Sequence, residues 1–160
     1  FVPHERQFHE LLAGRGLSGA LQRIVGALDG RPFAYELLAR GAHPALPASP
    51  VHLFRLAAQL DREAELSRAF REHGLRTLAG RLAGQTVFVN AHPKETFDDG
   101  FLAGLAALRR DGVKIDLVVE VHETAVMEIT RMRELAARLA EIGVRFAYDD
   151  FGAGQARLNE

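Results

Sequence analysis

The sequence predicts an α/β fold built around a parallel sheet, and two patterns along the chain indicate it. From residue 86 onward, short apolar segments alternate with longer helical segments in the order strand, helix, strand, helix, strand. Connections of that length imply right-handed βαβ units, in which neighbouring strands are parallel. The predicted strands are also apolar almost throughout, which is typical of a sheet that is covered on both faces.

The composition is that of a globular protein without a dominant charge. Of 160 residues, 48% are hydrophobic and 26% are charged, so the chain can bury a core of its own. The net charge of −1 gives no electrostatic argument for a nucleic acid polymer or an anionic membrane. The absence of cysteine excludes a thiolate metal site and fits a reducing compartment. We therefore expect a cytoplasmic protein with no membrane contact from this segment.

The first 39 residues predict a short helix followed by two strands. Residues 1–16 are expected to form a lead-in helix or linker, because a helical segment there runs into Gly14 and Gly16. Residues 20–27 and 33–39 predict two strands, joined by a turn that has Asp-Gly at its centre. Strands with so short a connection are most simply antiparallel neighbours.

A long helical region follows a loop that is rich in proline and alanine. Ser49 and Pro50 predict its start, since Ser caps a helix N-terminus and Pro favours the first turn. The helical pattern extends to Leu82, and we expect Gly74 to separate or kink it. The charged residues at 61–72 are expected to form a solvated helix face.

The rest of the chain predicts three strands and two helices in alternation. We expect the strands at 86–90, 115–121 and 144–148, and the helices at 95–110 and 124–142. The helix before the last strand is amphipathic, so one of its faces should cover the sheet.

Four predicted strands carry a side chain with oxygen ligands toward their carboxyl ends. These side chains are Glu36, Asn90, Glu120 with Glu123 just beyond it, and the adjacent pair Asp149 and Asp150. The carboxyl ends of parallel strands meet at one edge, where α/β enzymes keep their chemistry. Carboxylates gathered there repel one another unless cations neutralise them, and oxygen-only ligands favour Mg²⁺, Mn²⁺ or Ca²⁺ over zinc. Each of these residues alone could be a surface, capping or turn residue, but the set favours a metal site.

Four segments resemble successive motifs of the EAL domain family. They are YELLAR at 35–40, Val89-Asn90, VEVHET at 119–124 and DDFGAG at 149–154. Members of this family are bacterial phosphodiesterases that hydrolyse the second messenger cyclic di-GMP to linear pGpG. The resemblance covers residues 17–160 and implies a TIM-like (β/α)8 barrel, of which about the first five strands are present, the first two antiparallel.

The resemblance also implies roles for single side chains. The family's metal ligands match Glu36, Asn90, Glu120, Asp149 and Asp150, with the Asp pair holding the second ion. Gln22 and Arg40 match substrate-contacting residues, and a bidentate guanidinium suits a phosphate. Asp149, Asp150 and Glu123 are the catalytic candidates, Glu123 because it matches a glutamate that steadies a loop.

Three positions depart from the family pattern. Leu37 replaces the alanine of the motif that names the family, Arg23 replaces a proline, and His122 replaces a threonine. None of the three departures removes a metal ligand. A different side chain at position 122 is expected to alter the surroundings of the ligands.

The implied cofactors are two Mg²⁺ or Mn²⁺ ions, with Ca²⁺ expected to occupy the site and inhibit. In the family, such ions lower the pKa of a bridging water, and the resulting hydroxide attacks one phosphorus in line. Ca²⁺ is larger and tolerates looser geometry than Mg²⁺, which explains the expected inhibition.

Residues 17–160 are expected to be the N-terminal portion of such a domain. A closed barrel of this kind has about 250 residues, and the family's catalytic lysine lies one strand beyond the DDFG motif. Neither Lys94 nor Lys114 is at that position. The 160 residues alone are therefore not expected to catalyse. The expected partners of the complete protein are cyclic di-GMP, a second copy that forms a homodimer through the barrel, and an upstream sensor domain.

Two alternatives come from other functional classes. One is a catalytically inactive EAL-type module that acts as a cyclic di-GMP receptor or a protein-interaction domain. The other is a generic Mg²⁺-dependent phosphohydrolase on another α/β fold. The full set of predicted metal ligands favours the phosphodiesterase over a receptor, and the spacing of the motifs argues against the generic phosphohydrolase.

Overall fold

The computed structural model describes residues 4–122 and 129–149, and a single sheet forms its centre. The elements are α1 (Glu5–Leu12), β1 (Leu17–Val25), β2 (Pro32–Gly41), α2 (Pro50–Gln59), α3 (Glu63–Leu78), β3 (Thr86–Ala91), α4 (Asp99–Arg110), β4 (Asp116–His122), α5 (Ile129–Glu141) and β5 (Arg145–Asp149). No helix within these ranges is long and apolar enough to cross a membrane.

The five strands lie side by side in chain order, from β1 to β5. The pair β1 and β2 is antiparallel, and every later neighbour is parallel. The predicted α/β architecture with an antiparallel first pair is therefore confirmed. Its physical basis is also the predicted one, since a short turn can join only antiparallel strands and each later strand needs a crossover helix.

Two apolar clusters hold the helices and the sheet together. The larger cluster packs β2 to β5 against α3, α4 and α5, and its members include Val89, Val119, Phe101, Leu105 and Leu139. The smaller cluster joins α1, α2 and α3, and its fully buried members include Phe8, Leu11, Leu53 and Leu66. Burying each such side chain contributes about 1.5–3 kcal/mol. Helix α1 thus packs on the same body as α2 and α3, while the domain boundary at residue 16 stays a prediction.

The helical region between the second and third strands consists of two helices, α2 and α3. The break between them lies at Asp61, which has a φ of 53° in the left-handed region. Lys94 on the loop after β3 holds this turn, because its Nζ donates to the carboxylate of Asp61 at 2.7 Å and to that of Glu63 at 3.1 Å. Helix α3 continues through Gly74, so the prediction that this glycine separates the helices is wrong.

Gly74 instead makes room for a side chain of the sheet. A Cβ atom on Gly74 would lie 2.8 Å from Cδ2 of Leu37, and one on Gly19 of β1 would lie 2.9 Å from Cδ1 of the same leucine. Leu37 is only 6% exposed and belongs to the larger cluster. The leucine that replaces the motif alanine is therefore accommodated by two glycines, one on α3 and one on β1.

We predict that Gly74→Ala destabilises the protein even though alanine is the better helix former. Overpacking a well-packed core typically costs about 1–3 kcal/mol, which exceeds the roughly 0.5–1 kcal/mol that alanine gains in a helix. The free energy of unfolding in urea measures the balance. The second substitution Leu37→Ala should remove the clash, so the two changes together should cost less than the sum of the single costs.

Gly104→Ala in α4 is the matched control for this prediction. A Cβ atom there would meet mainly the flexible carboxylate end of Glu72, which can move aside. This variant should be as stable as the wild type or more stable. A Gly74→Ala protein that unfolds at the wild-type urea concentration would contradict the packing argument.

Candidate metal centre at the carboxyl edge of the sheet

The pairing register places four of the predicted ligands on one face of the sheet. Asn90 of β3 lies directly opposite Glu120 of β4. Glu36 of β2 pairs two residues before Asn90, and Asp149 of β5 lies two residues beyond the partner of Glu120. Because side chains alternate along a strand, offsets of two residues keep all four side chains on the same face.

A hydrogen bond joins the first two of these residues. The side-chain Nδ2 of Asn90 donates to Oε1 of Glu36 at 3.0 Å. An amide that donates from its nitrogen has its oxygen, Oδ1, available to accept or to coordinate. This contact therefore orients both side chains with oxygen atoms available at the edge of the sheet.

Glu120 is the electrostatically unusual residue of the group. Its Oε2 is buried and has no hydrogen-bond donor among the residues that the structure describes. Burial, and after it the negative charges of Glu36 and Asp149, together raise the pKa of Glu120 to about 7. The three carboxylates therefore repel one another in a partly desolvated cleft.

The buried, unpartnered oxygen of Glu120 and the carboxylates beside it fit a divalent cation. In the ranges 4–122 and 129–149, no three His, Cys, Asp or Glu side chains are arranged to hold a metal ion as they stand. Mutual repulsion keeps like charges apart until a cation neutralises them. A cation at this edge would offset the desolvation of Glu120 and its repulsion by Glu36 and Asp149, and the donors are the oxygen atoms that Mg²⁺ and Mn²⁺ prefer.

The predicted substrate-contacting residues flank this group. Gln22 of β1 lies directly opposite Glu36, so it shares the face of the ligands. Arg40 lies four residues after Glu36 on the same strand, is exposed, and donates from Nη1 to the carbonyl oxygen of Ala39 at 2.7 Å. The other two predicted site residues, Glu123 and Asp150, lie outside the described residues.

A cavity of about 240 Å³ opens beside the predicted ligands. Asn90 and Arg40 lie in its wall together with apolar side chains of β2 and α2, among them Leu38 and Phe54. A largely apolar pocket with a few polar groups is the usual form of a small-molecule site. The edge of the sheet therefore combines an acidic cleft with a neighbouring pocket that has two cations, Arg40 and Arg71, in its wall.

One buried feature near the candidate site was not predicted from the sequence. Arg71 of α3 and Glu95 of the loop after β3 form an ion pair, and their side chains are 2% and 0% exposed. The expectation that the charged residues at 61–72 form a solvated face is therefore wrong for Arg71, and also for Glu63, which is buried as well. The available signal was the position of Arg71 between Ser67 and Leu75 at intervals of four residues, on the face that packs on the sheet.

The raised pKa of Glu120 predicts a pH dependence of stability. The ordinary glutamate pKa is 4.5 and that of Glu120 is about 7, so the folded state binds the proton more tightly than the unfolded chain does. The stabilisation that protonated Glu120 contributes is complete below the pKa of the unfolded chain. It is lost as the pH rises through the pKa of the folded state. Glu120→Gln cannot ionise, so without metal it should melt a few degrees above the wild type at pH 8, and the difference should shrink at pH 5.

Added Mn²⁺ should reverse this order. The cation binds the ionised wild-type carboxylate and stabilises the folded state, whereas the glutamine variant should gain less. Asp116→Asn is the control, because Asp116 lies at the opposite end of β4 and accepts a hydrogen bond from Thr86. Melting curves in EDTA and in Mn²⁺ measure both effects. A Glu120→Gln protein that melts below the wild type at pH 8 without metal would contradict the raised pKa.

Comparison with known proteins identifies relatives of this fold. The model of the family described as EAL domain matches residues 5–160. BlrP1 of Klebsiella pneumoniae, solved as a manganese and cyclic di-GMP complex, is 27% identical, with a TM-score of 0.71 over 91% of this chain and 37% of the other. No curated protein is significantly similar to the chain.

Two more distant structures share the fold. The EAL domain of FimX from Pseudomonas aeruginosa, bound to c-di-GMP, is 19% identical, with a TM-score of 0.74 over 92% of this chain and 62% of the other. LapD from Vibrio cholerae, solved as an S helix, GGDEF and EAL chain bound to c-di-GMP, is 13% identical, with a TM-score of 0.77 over 96% and 39%. The chain thus spans 37–62% of the length of these three structures. The match to the family model confirms the resemblance seen in the motifs: the chain belongs to the EAL domain family.

Proposed function

We propose that the chain is the metal-binding part of a phosphodiesterase that hydrolyses cyclic di-GMP to linear pGpG. Membership of the EAL family and the cyclic di-GMP bound in related structures support a role in cyclic di-GMP signalling. The single observation that carries the proposal is the buried, unpartnered oxygen of Glu120, whose pKa is raised beside two further carboxylates. Such a group is costly unless a cation neutralises it.

The proposed ions are Mg²⁺ or Mn²⁺, two per site, with Ca²⁺ as an inhibitor. Related structures that contain manganese or calcium with cyclic di-GMP support the use of divalent ions. The proposed ligands are Glu36, Asn90, Glu120, Asp149 and Asp150. When bound, the ions supply a water of lowered pKa and neutralise charge on the phosphate.

The chain's own residues divide the remaining tasks. Arg40 is exposed at the rim of the pocket, where its fork of donors is suited to a substrate phosphate. Gln22, on the same face as Glu36, is the proposed second contact to the substrate. Glu123 is proposed to have the loop-steadying role that the resemblance to the family implies. A homodimer through the barrel, an upstream sensor domain and a cytoplasmic location complete the proposal for the whole protein.

A catalytically inactive receptor for cyclic di-GMP is the second candidate. The observation that favours it is that, among the described residues, no three His, Cys, Asp or Glu side chains are arranged to hold a metal ion. A receptor would use the pocket and Arg40 to bind the dinucleotide without needing the ions. The two candidates therefore differ in turnover and in metal dependence rather than in ligand.

We predict that the full-length protein converts cyclic di-GMP to pGpG in Mg²⁺ or Mn²⁺, and that Ca²⁺ inhibits it. Glu36→Ala and Glu120→Gln should each lower kcat by at least about 100-fold, because removal of a ligand disrupts the site that activates water. Asp116→Asn, on the strand that carries Glu120, should retain wild-type turnover. Chromatographic separation of substrate and product measures the rate.

The outcomes separate the candidates. Binding of cyclic di-GMP without turnover by a folded, metal-loaded protein would rule out the enzyme and favour the receptor. Retained turnover in Glu36→Ala would rule out the ligand assignment.

A further inference from the structure

Arg71 and Glu95 form a clamp beneath the carboxyl end of β3, and the proposed function does not use it. Nη1 and Nη2 of Arg71 donate to Oε1 and Oε2 of Glu95 at 2.7 and 2.9 Å. Both side chains are almost fully buried. This paired, two-point contact is the geometry in which Arg and a carboxylate restrict each other most strongly. The guanidinium also lies 4.9 Å from the ring centre of Phe101 in α4, which fixes its plane.

The clamp is attached to the backbone on both sides of residue 91. Nη1 of Arg71 also donates to the carbonyl oxygen of Asn90 at 3.3 Å. Two residues further on, the backbone N–H of His92 donates to Oε1 of Glu95 at 3.2 Å. Ser67 of α3 donates its hydroxyl to the same Oε1 at 2.5 Å. The backbone from residue 90 to residue 92 is therefore held against α3 by hydrogen bonds at both of its ends.

Stability alone is a weak explanation for this arrangement. Removing two charges from water is expensive, and apolar side chains of similar volume often replace a buried ion pair without loss of stability. A buried pair can instead select one conformation of the groups attached to it. Here the attached group is the backbone of Asn90, whose side chain contacts Glu36 at the edge of the sheet.

We propose that Arg71 and Glu95 are positioning residues. By fixing the backbone of Asn90, they hold its side-chain amide in the orientation in which it binds a divalent cation. The proposal rests on the proposed function, since it takes Asn90 as a metal ligand. The clamp contacts the proposed ligands through the backbone of Asn90, so its loss should appear in the metal affinity. Partners that orient a metal ligand in this way typically contribute 10–100-fold to metal affinity.

The decisive variant replaces the whole pair by apolar side chains. Arg71→Met combined with Glu95→Leu keeps the volume and leaves no buried charge unpaired. The N–H of His92 retains an acceptor in this variant, because the hydroxyl of Ser67 lies 3.2 Å from it. In the full-length protein, the double variant should melt close to the wild type and bind Mn²⁺ at least about 10-fold more weakly. Electron paramagnetic resonance of free Mn²⁺ measures the dissociation constant independently of turnover.

Arg71→Lys provides the same test with the positive charge retained. A lysine ammonium cannot form the paired contact with Glu95, so it should also weaken Mn²⁺ binding several-fold. This variant decides the question if the apolar pair does not fold. Wild-type Mn²⁺ affinity in whichever of these variants folds would overturn the proposal.

Two controls separate this proposal from its alternatives. Arg109→Met removes another partly buried arginine, which donates to the carbonyl oxygen of Gly143 at 2.7 Å, away from the proposed ligands. It should lower the melting temperature without changing the dissociation constant of Mn²⁺. Asn90→Ala should weaken Mn²⁺ binding more than either clamp variant. If the wild type binds no Mn²⁺, or Asn90→Ala leaves the dissociation constant of Mn²⁺ unchanged, the proposed function fails and the positioning role fails with it. If Asn90→Ala weakens Mn²⁺ binding but the clamp variants bind Mn²⁺ as tightly as the wild type, the positioning role alone fails.

Discussion

Backbone pairing between the parallel strands sets the positions of the described candidate ligands in this protein. Asn90 and Glu120 are direct partners in the register of β3 and β4, so their side chains lie on the same face. Glu36 and Asp149 are offset from this pair by two residues on the strands at either side, which keeps them on that face too. A slip of one residue in any pair would turn a carboxylate to the opposite face, where α3, α4 and α5 bury apolar side chains. The apolar core thus enforces the register, and the register brings the carboxylates together.

Bringing the carboxylates together has an electrostatic cost that the core must offset. The raised pKa of Glu120 expresses part of this cost as a preference for the protonated form. Replacing the acid by a side chain that cannot ionise would remove this cost, which is why Glu120 carries the proposal of a cation site. The buried pair of Arg71 and Glu95 lies next to this edge of the sheet. Its opposite charges neutralise each other, so the pair adds no net charge to the region of Glu120.

The features that sequence reasoning predicted are those that local patterns encode. Apolar runs predicted the strands, and the short Asp-Gly connection predicted the antiparallel pair. Polar residues near the ends of the apolar runs predicted a set of side chains whose described members Glu36, Asn90, Glu120 and Asp149 lie on one face of the sheet. Arg71 and Glu95 escaped prediction because they are 24 positions apart and only tertiary packing makes both of them buried. Gly74 was misinterpreted for a similar reason, since glycine usually weakens a helix and its partner Leu37 lies on another element.

The space shared by Leu37, Gly74 and Gly19 has a consequence for how related sequences vary. The side chain of Leu37 fills the space that Gly74 and Gly19 leave open. A related chain that has alanine at position 37 therefore has room for a larger residue at positions 74 and 19. Among relatives, these three positions are expected to change together rather than independently. The size of the residue at position 74 would then indicate whether a chain has alanine or leucine at position 37, even though α3 contributes none of the proposed ligands.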